Sequence, residues 1–322
     1  MKFGIYQALS DLLAVAFARF SFADLSIFHD FDPPPSGGGH QFLRGFWKQA
    51  EAYGLRVENN RISRTTQACL FNSFNFKERR LSWMRKKSVL YVHRVDGPID
   101  VYRGYDGGVD YGIHTFNKKY ADKTIFQSHY SLEKHLERGL EFKNPVVIQN
   151  AADPDIFHSY EKKPFSVGRK TRLIATSWSD NINKGSPFYK WLDENLDWNR
   201  FEFTFVGNSP IKFKNIKIIP PVTSYRVAEI LREHDIYITA SKHESCSNSL
   251  IEALSCGLPA IFLVSGGNPE IVKQAGIGFE TAYQIPDLLD MIVSDYDTFQ
   301  KNISIPSLDE VSKAYLKVLE LV

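Results

Sequence analysis

One stretch, residues 235–264, constrains this 322-residue chain more than any other. Residues 235–240 (DIYITA) form a short apolar run that reads as a buried strand. A polar loop follows over residues 241–247. Residues 248–255 read as a short helix with Ser247 as its N-cap. Cys256-Gly257-Leu258-Pro259 ends it, because glycine accepts a left-handed cap and proline cannot continue a helix. Residues 260–264 are the next strand. Strand, loop, helix and strand in that order make the βαβ unit of a parallel sheet.

Ligands of such sheets bind outside the carboxyl ends of the strands, where the loop 241–247 would lie. The amides of Asn248, Ser249 and Leu250 would point out of the first helical turn without intrahelical partners, which makes an anion site. Glu244 sits in the loop and Glu252 in the helix, with seven residues between them. Carboxylates are poor phosphate ligands but good acceptors for hydroxyl groups. A nucleotide sugar, with a diphosphate in the middle and hydroxyls at both ends, fits this layout. A solvated glutamate pair on a surface helix fits the spacing alone equally well.

The longer string separates the two. Glu-x7-Glu, small residues, Cys-Gly-Leu-Pro, a strand, Gly-Gly-Asn-Pro-Glu-Ile (266–271) and Gly-Ile-Gly-Phe (276–279) follow in order. Together they resemble the donor site of the retaining GT-B glycosyltransferases of glycosyltransferase family 4. The resemblance is strong over residues 171–281 and weaker before them. It implies an α/β protein of GT-B type, two Rossmann-like parallel-sheet domains facing across a cleft. Residues 24–160 would form the acceptor-side domain and 161–306 the nucleotide-sugar domain. Residues 307–322 would be a helix crossing back to the first domain, and 1–23 an atypical leading segment.

Several positions acquire expected roles from that resemblance. Glu244 would face the transferred hexose and Glu252 the ribose. Backbone near Pro221-Val222 would contact the base, so Val222 is a donor-site candidate. Gly207, at the end of a strand over residues 201–206, would form a ligand-side turn. Lys184-Gly185 matches the family's diphosphate-binding Lys-Gly. The family's arginine a few residues earlier is missing: Trp178 or Ser179 stands there. Arg94, Arg169 and Arg172 are the candidates to replace it.

In the first half, Pro33 to Gly39 (PPPSGGG) follows a strand over residues 24–31. Glycines between a first strand and helix let backbone approach a ligand closely, and the family carries a Gly-Gly pair here, so Gly38 and Gly39 are donor-site candidates. Residues 88–93 (SVLYVH) form a strand that delivers His93, Arg94 and Asp96 to the ligand side. A His or Asp at this edge meets the transferred sugar in the family, and His93 is the catalytic candidate. Residues 102–112 (YRGYDGGVDYG) read as a mobile acceptor loop. Asp106 and Asp110 lack the spacing of a calcium loop, so a turn is expected there.

Composition excludes other classes. The net charge is +2, which argues against nucleic acid as a partner. Three cysteines, Cys69, Cys246 and Cys256, form neither a disulfide framework nor a zinc pattern. A reducing, cytoplasmic setting is expected, with peripheral contact at the inner face of a membrane left open. Residues 1–23 carry an apolar helical face without a membrane span's length. An extra packed helix, an interfacial membrane helix and an upstream-misplaced start are all open readings.

The resemblance implies transfer of a hexose-type sugar to the hydroxyl of a glycan or lipid-linked glycan. Configuration would be retained, with neither metal nor cofactor. His93, Lys184 and Glu244 would carry the chemistry. Gly38, Gly39, Gly207, Val222, Ser247, Asn248, Ser249, Leu250 and Glu252 would hold the donor. The alternatives are a phosphorylase or epimerase of the same fold, or a non-catalytic nucleotide-sugar-binding subunit.

Overall fold

The computed structural model describes residues 2–18, 20–33 and 38–322, residues 2–9 by their backbone alone. The part of the expected glycine loop from Pro34 to Gly37 lies outside the described residues, as do the side chains of Ile5 and Leu9.

The first half builds one six-stranded sheet. Its strands are β1 (Leu25–Phe28), β2 (Val57–Asn59), β3 (Ala68–Asn72), β4 (Leu90–Val95), β5 (Lys123–Phe126) and β6 (Pro145–Val147). They run in the order β2-β1-β3-β4-β5-β6, every pair parallel. The helices with it are α1 (Lys2–Ala18), α2 (Gly38–Ala52), α3 (Glu78–Met84), α4 (Ile99–Arg103), α5 (Val109–Tyr120) and α6 (His129–Glu137).

The second half repeats the plan. Strands β7 (Thr171–Ser177), β8 (Phe201–Gly207), β9 (Lys217–Ile219), β10 (Ile236–Thr239), β11 (Ala260–Leu263) and β12 (Gly276–Phe279) form a second parallel sheet in the order β12-β11-β10-β7-β8-β9. Around it lie α7 (Ser186–Asn195), α8 (Ser224–Glu233), α9 (Asn248–Ser255), α10 (Asn268–Val272), α11 (Ile285–Ser294) and α12 (Tyr296–Lys301). The last helix is α13 (Leu308–Val318).

Both sheets are covered on both faces, as all-parallel sheets require. Alternation along the strands sorts residues between layers. In the first sheet Leu25, Ile27, Leu70 and Val92 pack on α2 and α13. Phe28, Cys69, Phe71 and Tyr91 pack on the opposite side with Ala14 and Ala18 of α1 and Leu81 of α3. Each sheet also reverses its winding once, between β1 and β3 and between β7 and β10. A crevice opens outside the carboxyl ends of the strands at such a point, and here the two crevices face each other.

The chain crosses between the halves twice, once after β6 and once between α12 and α13. Tyr315 of α13 is fully buried, with Phe42 and Phe46 of α2 at 5.4 and 5.3 Å between ring centroids. The C-terminal helix is therefore part of the first domain's core.

The stretch read as a loose loop over residues 102–112 is tied down instead. Asp110 accepts the amides of Ile99 (2.7 Å) and Asp100 (3.0 Å). Asp100 accepts in return from Gly107 (3.0 Å) and Asp110 (3.1 Å), and Arg138 binds Asp110 at 2.6 Å. Two aspartates each cap the other's helix, so they are structural anchors.

Truncating the domain-crossing helix should be costly. Tyr315→Ala is expected to destabilise the protein by about 3–5 kcal/mol, the usual range for a buried aromatic. A lower urea unfolding midpoint checks this.

Candidate functional site

The loops at the facing carboxyl ends enclose a cleft of about 590 Å³, lined from both domains. That is within the usual range for small-molecule sites, roughly 300–1,000 Å³. The first domain contributes His29, Gly38, Gly39, His40, Arg94 and Asp96. The second contributes Lys184, Gly207, Val222, Glu244, Asn248 and Glu252, together with Ser249.

Helix α9 begins at the cleft. Ser247 precedes it in an extended conformation, but its side chain caps no amide. Its Oγ lies 3.1 Å from Ser249 Oγ instead. Among the described residues nothing accepts from the first-turn amides of Asn248, Ser249 and Leu250, while the Ile251 amide already bonds the Ser247 carbonyl at 3.1 Å. Leu250 buries its side chain in the core and offers only its backbone. The expected side-chain cap is absent, and the donors it would have occupied remain available.

Helix α2 of the other domain starts at the same spot. A Cβ at Gly38 would fall 2.5 Å from Asn248 Nδ2, so only glycine fits. Asn150 Nδ2 donates to Asn248 Oδ1 at 3.0 Å, closing this point from the first domain. Gly207 has φ +125°, and a Cβ there would strike the Ser177 carbonyl oxygen, so the turn after β8 also requires glycine.

The two glutamates differ in state. Glu244 is in contact with the Lys184 ammonium, and its carbonyl accepts the Gly267 amide at 2.8 Å. Burial pushes Lys184 down to about 8, so it remains a cation at neutral pH. The Glu252 carbonyl accepts the Cys256 amide at 3.0 Å, but its carboxyl has no hydrogen-bond partner among the described residues, and burial pushes that carboxyl up to about 8.

Two expectations need correction. His93 does not reach the cleft. It lies on the β4 face shared with Tyr91, fully buried, stacked on Phe71 with ring centroids 4.4 Å apart. Asn117 Nδ2 approaches its Nδ1 at 3.3 Å, and burial lowers its imidazolium to about 3. Strand alternation sends the next residue, Arg94, to the opposite side. The second correction concerns the missing arginine. Arg169 and Arg172 sit at the amino end of β7, both bound to buried Asp235, at 2.6 and 3.3 Å. That edge is far from any ligand loop. Arg94 does line the cleft, but its guanidinium is engaged by Asn72 (3.0 Å), Asp96 (2.7 Å) and Asn150 (3.1 Å).

Three residues of this site went unremarked in the sequence. His29 lies just past β1, so the strand-end rule that pointed to His93 applied equally to it. Its Nε2 is 2.9 Å from Nδ1 of His40. Burial lowers His29 to about 4 and also lowers His40, so neither is charged at neutral pH. Glu270, in the Gly-Gly-Asn-Pro-Glu string, accepts the amides of His129 and Tyr130 at 2.8 Å each. It thus caps α6 of the first domain from the second.

Among the described residues, no cluster of three His, Cys, Asp or Glu side chains could hold a metal ion.

Most of the chain superimposes on solved structures built the same way. A sucrose-phosphate synthase from Thermosynechococcus elongatus matches with a TM-score of 0.66 and 13% identity, over 92% of this chain and 96% of that one. Anabaena HepE (Alr3699) in complex with UDP matches with a TM-score of 0.68 and 13% identity, over 92% and 99%. The same protein in complex with UDP-glucose gives 0.67 and 13%, over 92% and 99%. The fold is GT-B. In sequence, residues 191–294 match the family described as Glycosyl transferases group 1. That segment, from within α7 to the end of α11, holds both glutamates and the first turn of α9. No curated protein matches the chain in sequence.

The state of Glu252 has a pH signature. A carboxyl held up at about 8 keeps a proton in the fold that an unfolded chain, near the usual 4.5, releases. Its contribution to stability is complete below the unfolded value and fades as pH rises through the folded one. Glu252→Gln should therefore melt above the wild type near pH 9, with the gap closing toward pH 5. Parallel melting curves across that range would test it.

Proposed function

We propose that this protein is a glycosyltransferase that moves a hexose-type sugar from a nucleotide-sugar donor to a hydroxyl of a glycan or lipid-linked glycan. The observation that carries the reading is the start of α9: first-turn amides open to the cleft among the described residues, a lysine lining the same cleft and an unpartnered carboxyl one turn further on. The match of this segment to Glycosyl transferases group 1 supports it. So do UDP and UDP-glucose in complexes of a protein with the same fold.

On this reading the diphosphate lies against the amides of Asn248, Ser249 and Leu250, with Lys184 neutralising charge as it departs. Glu252 accepts the ribose hydroxyls, and the base lies along Pro221 and Val222. Glu244 exchanges part of its contact with Lys184 for hydroxyls of the sugar. The acceptor enters from the first domain, past His29, His40 and Asp96. The bond from the anomeric carbon to the phosphate oxygen breaks. The acceptor oxygen bonds to that carbon on the same face, and its proton passes to the departing phosphate. Configuration is retained, and no metal or cofactor is used.

The missing arginine puts more of the electrostatic load on Lys184 and the helix terminus. The buried free cysteines fit a reducing compartment, and we place the protein in the cytoplasm, in contact with membranes only peripherally. Among the described residues, no helix is long and apolar enough to cross one.

A thermal-shift screen against UDP-, GDP-, ADP- and CMP-sugars tests the class and identifies the base; stabilisation by none of them would refute the reading. Once the donor is known, Lys184→Ala should lower turnover by roughly 10²–10³-fold, as loss of an oxyanion donor does. Glu252→Ala should weaken binding of the free nucleoside diphosphate in calorimetry. Unchanged affinity would remove Glu252 from the ribose site.

A further inference from the structure

From Ser10 onward, helix α1 is turned the wrong way round for a helix that ends at water. Toward the first sheet it buries Asp11, Ala14 and Ala18. Outward it presents Leu12, Leu13 and Phe17, 56%, 50% and 60% exposed. Phe20 (80%) and Phe22 (56%) extend the patch toward β1, and Trp83 of α3 is half-exposed beside it. Arg80 clamps the two helices together, donating to Asp11 at 2.6 Å and to Ser10 at 3.1 Å. A surface helix ordinarily buries its large apolar residues and exposes the small and polar ones. Several large apolar side chains exposed on one helix face and the stretch after it mark a surface that something else covers.

The surrounding charge says what covers it. Residues 77–87 (KERRLSWMRKK) carry six cations and one acid. Arg79 and Lys87 are exposed, and the Arg79 guanidinium lies 5.8 Å over the Trp83 ring. Arg64 is exposed too, and its amide bonds the carbonyl of Ser21, between Phe20 and Phe22. The acids of these helices are taken: Asp11 by Arg80, Glu78 by Lys119 and Tyr120. A second copy of the chain would bring the same basic rim against itself. A layer of anionic headgroups over hydrocarbon matches both parts of the surface, with aromatic and aliphatic side chains at the interface and cations on the headgroups.

We propose that the outer face of α1, with residues 20–22 and the basic helix α3, docks on an anionic membrane surface. Helix α1 lies in the plane of the interface and does not cross it. The surface belongs to the first domain and is independent of the donor reading.

Flotation of the purified full chain tests this, using vesicles of equal parts phosphatidylcholine and phosphatidylglycerol and vesicles of phosphatidylcholine alone. The wild type should float with the anionic vesicles only. Leu13→Ser combined with Phe17→Ser should abolish flotation. Arg79→Glu with Lys87→Glu should weaken it by at least about tenfold, from the contribution of each cation near an anionic surface. Both variants change exposed residues and should keep the wild-type melting temperature and its shift with the nucleotide sugar. Failure of docking is thereby separated from failure of the donor site. Equal flotation on neutral vesicles, no flotation of the wild type, or full flotation of the apolar variant would overturn the proposal. So would a dimer in light scattering that Leu13→Ser with Phe17→Ser converts to monomers.

Discussion

Two helices, one from each domain, start at the same point in space, and much of the molecule is arranged around that meeting. The first turns of α2 and α9 bring the positive ends of two helix dipoles together. Gly38 and Asn248 are so close that no side chain fits between them. Like partial charges converging in a partly dry cleft are unfavourable until an anion arrives to share them. On the proposed reading this junction holds the donor diphosphate, and the flanking groups follow from it. Lys184 adds a full positive charge. The Glu252 carboxyl has no hydrogen bond among the described residues, and on the proposed reading it meets a ribose hydroxyl.

The parallel sheets supply the rest of the geometry. Each winds in two directions from an internal strand, and each leaves its loops at the same edge. Because both sheets present this edge to the shared gap, residues distant in sequence line one space, such as His29, Asp96, Lys184 and Glu252. The opposite edges are closed by structural ion pairs, as Asp235 with its two arginines shows. Charge of the same kind therefore does different things at the two ends of a strand.

Much of the second domain could be read from the sequence because its elements are short, apolar and separated by strong punctuation. The span of α9 and the strand before it followed from DIYITA, the serine-rich loop and Cys-Gly-Leu-Pro. The fold class followed from the resemblance carried by the longer string, from Glu244 to Phe279. What escaped was what depends on facing direction and on distant partners. His93 and Arg94 are neighbours in sequence, and nothing local says which of them turns toward a gap formed by another domain. Ser247 has the composition of a cap, yet its hydroxyl turns to Ser249. Glu270 sits in a readable motif, but its partners lie some 140 residues away, on the amides of α6. The mutual capping by Asp100 and Asp110 was hidden for the same reason, since glycine-rich polar sequence looks alike whether loose or tied.

The double crossing between the halves has a mechanical consequence. With two covalent strands passing from one half to the other, relative twisting is restrained, and the easiest motion is a swing about the line joining the two passages. The rim opposite that line travels furthest. Glu270 and the first turn of α6 form one of the catches across the gap, so a wide swing must release two amides that the carboxylate holds.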